Sequence, residues 1–219
     1  MPLRSTGSVP VSEAGRVEVT AELPTYDEVV ALMRRLDESP PDRDGSSMSW
    51  LEHCEQRGIF HCLTAEFATR LAEIVSSLTP RCCVEVGAGD GALARALGSR
   101  GVPAVATDPQ PRAEGVRPLG AAAAIARHSP DLVIACWPPS GADVEITVLQ
   151  SPGVRHFIYI AQKINGQIGP HHLWSHPQWQ YSLREDLLAY SLSRFDYHSA
   201  RQHSVVKHSY PFTLSRRSG

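Results

Sequence analysis

The spacing of apolar positions changes near residue 80. Before that point it is helical. Val29, Val30, Met33 and Leu36 share one face of a stretch running Tyr26–Leu36, with Thr25 placed as its N-cap. Two more helices are predicted over 48–57 and 64–78. The second opens at Thr64, carries Phe67, Leu71, Ile74, Val75 and Leu78 on one side, and stops at Pro80. Residues 1–20 are polar and aperiodic and read as a loose tail, and Glu38–Ser47 is a loop by its Pro, Asp, Gly and Ser content. Beyond residue 80, short apolar runs alternate with helical pieces. Strands are predicted at Cys82–Val86, Val102–Thr107, Val116–Leu119, Leu132–Cys136 and His156–Ala161, and helices at Gly91–Leu97, 121–127 and Val144–Gln150. That alternation predicts an α/β fold, a parallel sheet with helices on both faces. A helix around 178–191 is followed by strand-like pieces near 194–200 and 210–215, which predict an antiparallel hairpin at the end of the sheet. The expected organisation is a tail (1–20), an N-terminal helical cap (21–80) and an α/β domain (81–219).

The segment with the most chemistry runs from Cys83 to Ala94 and reads CVEVGAGDGALA. A strand ends at Val86, glycines follow at 87, 89 and 91, and a helix begins. Such a turn lets a ligand approach the backbone without meeting a Cβ, and the helix start offers N–H groups to an anionic portion of it. The letters also fit the dinucleotide fingerprint. Glu85, however, stands where a dinucleotide strand ordinarily carries an apolar residue, and a buried acid there is costly unless it binds something or is paired. A second acid, Asp108, ends the next strand, where a carboxylate accepts hydrogen bonds from ribose hydroxyls.

Val84-Glu-Val-Gly-Ala-Gly-Asp-Gly91, followed by Ala106-Thr-Asp108, resembles class I S-adenosylmethionine-dependent methyltransferases over about residues 81–216. The resemblance implies a Rossmann-like, doubly wound, mostly parallel seven-stranded sheet with an antiparallel C-terminal strand. It implies S-adenosyl-L-methionine as cofactor. It also implies a cofactor site at Glu85, Gly87, Ala88, Gly89, Gly91, Asp108, Pro109, Cys136 and Trp137, with Glu85 at the glycine turn and methionine amine and Asp108 at the ribose. Pro130–Pro139 falls where that family's fourth strand ends. Its Trp-Pro-Pro lacks the preceding Asn or Asp that orients a planar nitrogen in amino-methylating DNA and protein enzymes. Methyl transfer from a sulfonium needs alignment above all, so the missing catalytic triad is no objection.

For the acceptor, Trp137 and the loop Gln162–Pro177 lie after the fourth and fifth strands. The loop exceeds the usual connection of about 2–6 residues and reads as a substrate lid. His171, His172 and His176 on it are the expected bases, because imidazole titrates near neutrality. Tyr26, Trp137 and Trp174 are the expected substrate contacts, and no metal site is expected.

Composition narrows the partners. The chain has 219 residues, 42% hydrophobic and 20% charged, with a net charge of −2. That suits an ordinary globular core and lacks the basic track a nucleic-acid modifier needs. All but two of the 21 basic residues are arginine, and 194–219 is the basic end. Five cysteines without a C-x-x-C pair, no long apolar run and no secretory start lead to an expected cytoplasmic location away from membranes. The expectation is a methyltransferase acting on a small molecule in specialised metabolism. Alternatives are an RNA or protein methyltransferase docking through the basic end, or an NAD-dependent oxidoreductase; a homo-oligomer is compatible with all of them.

Overall fold

A computed structural model describes residues 22–38, 48–139, 143–164, 167–199 and 201–217. The tail at 1–20 and nearly all of the loop expected at 38–47 lie outside the described residues. Three helices come first: α1 (Tyr26–Glu38), α2 (Trp50–Gln56) and α3 (Ala65–Ser77). Then follow β1 (Cys83–Val86), α4 (Ala92–Gly98), β2 (Val105–Asp108), β3 (Arg117–Pro118), α5 (Ala121–His128), β4 (Leu132–Cys136), α6 (Val144–Gln150) and β5 (His156–Ile164). The chain continues through β6 (Gln167–Ile168), α7 (His171–Trp174), β7 (Trp179–Leu183), α8 (Glu185–Leu188), β8 (Tyr197–Ser199), β9 (Ser204–Val206) and β10 (Ser209–Arg216).

Side-chain caps set the helix starts. The Thr25 amide donates to Glu28 Oε2 at 2.8 Å, Ser49 and Glu52 form a reciprocal capping box, and the Thr64 hydroxyl accepts from the Phe67 amide.

The main sheet runs β3-β2-β1-β4-β5-β10-β7, with β6 paired to the end of β5. β1 through β5 pair in parallel, and β10 is antiparallel to both β5 and β7. This is the expected Rossmann-like architecture, with one reversed strand inserted near the C-terminal edge of the order. Alternation along the central strands divides the core. Val133, Ala135, Phe157 and Tyr159 pack against α5 and α6, while Leu132, Ile134, Ile158 and Ile160 pack against α3, α4 and α8.

Three expectations are corrected. The helix expected around 178–191 is a strand, β7, followed by the one-turn α8. Trp179 and Leu183 point inward while Gln180, Tyr181 and Ser182 stay exposed, so an edge-strand pattern was misread as a helical one. The piece near 194–200 does not join the main sheet: β8 pairs with β9 in a separate ribbon, and the terminal hairpin is β7 with β10. The 162–177 loop contains β6 and α7, and α7 seats Leu173 in the α6 cluster rather than folding over the sheet as a lid.

Packing also divides the N-terminal helices. The inner face of α3, from Phe67 to Val75, belongs to the sheet's core. Val29, Met33, Trp50 and Cys54 form a separate cluster with Leu192 and Val205 from the far end of the chain. The two ends are bridged directly, His61 to Ser193, and the Trp50 indole donates to the Ser193 carbonyl at 2.9 Å.

Asp131 ties the N-terminal ends of β1, β4 and β5. Its buried carboxylate accepts from the Arg81 and Cys82 amides and, at 2.8 Å, from Arg155 Nη2. Burial alone would raise its pKa, but the Cys82 and Arg81 amides and the two guanidinium groups hold it well below the usual carboxylate range. Asp131→Asn is expected to lower unfolding free energy by roughly 1.5–3 kcal/mol, the range for hydrogen bonds to a charged group. The loss should appear in urea melts at pH 7. It should shrink as pH falls below the ordinary carboxylate value, where the wild type also surrenders this contribution.

Candidate functional site

The parallel strands deliver Val86, Asp108 and Cys136 side by side at the C-terminal ends of β1, β2 and β4. The glycine turn projects from this edge, and three carboxylates surround it. Asp108 grips it: Oδ2 accepts from the Gly89 amide and Oδ1 from the Gln110 amide, both at 2.8 Å. Glu85 is 3% exposed, and its Oε2 accepts from the Ala94 amide at 3.0 Å. Asp90 Oδ1 accepts from the Ala92 amide at 3.0 Å. Two of the first-turn donors expected to greet an anionic ligand, the Ala92 and Ala94 amides, are therefore already held by the chain's own acids. The turn is rimmed by carboxyl groups, with the Arg112 and Arg95 guanidinium groups lying against Gly89 and Gly91, and it presents few free amides of the kind a phosphate cradle uses.

Burial pushes the Glu85 pKa up to about 8; the Ala94 amide and Arg95 oppose the rise, and Asp90 and Asp108 add to it. Cys136 lies close enough to Glu85 to feel its charge, and its thiol is raised well above the ordinary value, first by burial. Gly87 has open space where a side chain would project. Gly89, at φ +59, is covered instead: a Cβ there would lie 2.5 Å from Arg112 Nη2, and the same guanidinium reaches the cap turn at Gly58. Gly91 serves packing, since its Cβ would lie 2.8 Å from Val116 Cγ2. The Ala88 methyl is buried with Ala94, Ala106 and Val116, which leaves only its backbone for a ligand. Pro109 is exposed beside Asp108.

Trp137 follows Cys136 with φ 55, a left-handed conformation costing a bulky residue about 1–3 kcal/mol. Three contacts impose it. Its amide donates to the Ile160 carbonyl at 2.8 Å, its indole N–H to Ser209 Oγ at 3.0 Å, and its ring stacks on Phe195 with centroids 5.8 Å apart. Ser209 Oγ also lies 3.3 Å from His61 Nδ1. Trp137 can only donate, so satisfying all three groups sends the Ser209 proton to His61 Nδ1 and leaves the histidine's own proton on Nε2. Burial, aided by the Lys207 charge, lowers the His61 pKa to about 3. His61 is thus a neutral donor whose buried Nε2 has no partner.

The other expected acceptor residues are not gathered here. Trp174 packs on Tyr181 and Phe212 on the α6 side of the sheet. Tyr26 lies edge-on to Tyr190 and beneath Lys207 Nζ. His171, His172 and His176 occupy α7 and the turn after it. The Leu173 between them enters the α5–α6 face, opposite the one Trp137 packs against. His171 is exposed, and His176 Nδ1 accepts from the Gln178 amide at 3.3 Å. Sequence reading missed Arg112, Phe195, Arg194 and Ser209. Arg112 could have been found, for it follows Asp108 in the same short loop; Ser209 reaches Trp137 only through the pairing of β10 with β5, and Arg194 and Phe195 lie beside the bridge between the chain's two ends. Among the described residues no group of three His, Cys, Asp or Glu could hold a metal ion, and no helix is long and apolar enough to cross a membrane.

The chain matches no protein-family model and no curated protein sequence. Its fold is similar to solved structures at low identity. The 1,6-didemethyltoxoflavin-N1-methyltransferase of Burkholderia thailandensis is 14% identical, with 92% of this chain and 94% of that one covered and a TM-score of 0.44. The magnesium protoporphyrin IX methyltransferase of Synechocystis PCC 6803 is 10% identical, with 91% and 100% covered and a TM-score of 0.44. The 23S rRNA methyltransferase ErmE is 15% identical, with 69% and 67% covered and a TM-score of 0.38.

Two outcomes are expected. Ser209→Ala removes the acceptor of a half-buried indole N–H that helps hold a strained backbone, and should cost about 1–3 kcal/mol, with a changed tryptophan emission spectrum as the site-specific signal. Glu85 holds a proton in the folded protein that the unfolded chain has released. Its contribution to stability is therefore present below the ordinary carboxylate pKa and lost as pH rises through about 8. Melting temperature measured without ligand between pH 5 and 8.5 should fall less in Glu85→Gln than in the wild type.

Proposed function

We propose that this chain is an S-adenosylmethionine-dependent methyltransferase acting on a small molecule. The reading rests on the acidic rim of the glycine turn. Glu85, Asp90 and Asp108 surround it, and two of them already occupy the amides of the helix that follows. A dinucleotide pyrophosphate brought there would find the Ala92 and Ala94 amides already taken, which counts against the oxidoreductase alternative. A ligand bearing an ammonium and a sulfonium finds what it needs. Its charge would restore the ionised form of Glu85, its ribose would share the Asp108 carboxylate, and the space beside Gly87 admits it close to the backbone. Arg112 must swing off Gly89 if that side of the turn is to be used.

S-adenosylmethionine supplies an activated methyl group on a good leaving group. The protein's share is to hold donor and acceptor in line, worth about 7–11 kcal/mol when alignment is good. Trp137, fixed at the end of β4 beside the Glu85–Cys136 pair, is the wall against which an acceptor would be aligned. A small acceptor is favoured over RNA because two of the five basic residues at the basic end, Lys207 and Arg216, are spent internally. Lys207 donates to the carbonyls of Leu188, Ala189 and Ser191, and Arg216 to those of Leu149, Ser151 and Val154. Side chains so engaged leave little of the phosphate-binding track that nucleic acid needs.

Calorimetric titration tests the reading. S-adenosylmethionine should bind and NADH should not; the opposite result would falsify it. Asp108→Asn should weaken binding by about 1–3 kcal/mol through loss of the charged partner. Binding near neutral pH should release a proton from Glu85, seen as a dependence of the apparent heat on buffer ionisation enthalpy that Glu85→Gln removes.

A further inference from the structure

Resting on the methyltransferase reading above, we propose that Trp137, Phe195, Phe60 and Arg194 form the acceptor subsite, and that it takes a planar aromatic acceptor carrying an oxyanion, a carboxylate or phenolate.

The four side chains are continuous. Trp137 and Phe195 stack with an interplanar angle of 29°. The Arg194 guanidinium carbon lies 4.8 Å from the Phe195 ring centroid and 4.3 Å from that of Phe60. The group begins beside Cys136 and Glu85, at the cofactor end of β4, and finishes on the loop between α2 and α3. That loop also carries Gly58, the glycine against Arg112, so one short segment touches both the guanidinium on the glycine turn and the one on the aromatic wall. None of the four is a core residue: Phe60 is 40% exposed, and Trp137, Arg194 and Phe195 are half-buried.

Arg194 sets the ligand class. Arg155 is discharged against Asp131, and Lys207 and Arg216 against backbone carbonyls. Among the described residues the Arg194 guanidinium makes no hydrogen bond and no ion pair, and its Nε is buried without a partner there. The nearest acid along the chain, Asp196, is already committed to the Ser193 hydroxyl and to the Ser193 and His208 amides. A planar cation in contact with two phenyl rings, with a donor left over, is pre-organised for an oxyanion in the plane of an aromatic ring. The rings of Trp137 and Phe195 supply the stacking surface for the rest of that molecule. Aromatic stacking alone would accept a neutral acceptor equally well; the unspent guanidinium is what selects charge.

Matched pairs separate the two. 2-Hydroxybenzoate with 2-hydroxybenzamide, and indole-3-carboxylate with indole-3-carboxamide, are titrated into the full-length protein with and without saturating S-adenosylhomocysteine. Binding is followed by calorimetry and by quenching of tryptophan fluorescence. The anionic member of each pair should bind about tenfold or more tightly than its amide, the equivalent of one charge-assisted hydrogen bond. Arg194→Gln should erase that preference, and Arg194→Lys should retain part of it, with melting curves establishing that both variants are folded. Equal binding of acid and amide, a preference that survives in Arg194→Gln, or no binding of any probe would overturn the subsite. Failure of S-adenosylhomocysteine to bind would instead bring down the methyltransferase reading, and the anion preference of the cofactor-free protein would still decide the role of Arg194.

Discussion

An acid cannot be buried at the end of a parallel strand without consequence, and Glu85 is the residue around which this structure is arranged. Its carboxyl has one amide partner, from Ala94, and two neighbouring acids that oppose its charge. In the absence of ligand the balance tips toward the protonated form, which a cation brought beside the carboxyl would reverse. Asp108 meanwhile clamps Gly89 and thereby fixes the turn against β2. One acid holds the shape of the turn; the other holds an unmet electrostatic demand. The proposed preference for a positively charged ligand rests on that division.

The second constraint is topological. Placing the reversed β10 between β5 and β7 brings Ser209 to the C-terminal edge of the sheet, since it pairs with Gln162. From there its hydroxyl reaches both the Trp137 indole and His61. A strand from the end of the chain thus fixes the side chain that ends β4 and connects it to a loop near the chain's beginning. The strain held at Trp137 is sustained by contacts from three separate segments, which is how an unfavourable φ persists in a folded protein.

The same joining of ends accounts for the cap. α1 and α2 have too little apolar surface between them to form a core, and they complete one with Leu192 and Val205. The loop from α2 to α3 is then bridged to Ser193, which sets Phe60 against Arg194. Cap stability and the geometry of the aromatic wall are therefore one problem: loosening Trp50 from the Ser193 carbonyl would disturb both.

Local chemistry was legible from the residues alone. The glycine turn, Glu85, Asp108 and the central strands were all recognisable, because their signals lie in contiguous segments: a strand's apolar run, a turn's glycines, an N-cap three residues from its amide. The sheet class followed for the same reason. What the chain could not announce was every relation between distant segments. The exposed middle of β7 imitated a helix because a five-residue edge strand has no period long enough to refute one. The histidines after β5 looked like a lid because nothing nearby revealed that Leu173 would sink into the opposite face. Arg194 and Phe195 carried no motif at all. They became part of a site only when packing brought residues 60 and 194 together, a juxtaposition created by burying apolar surface from both ends of the chain, which no local pattern encodes.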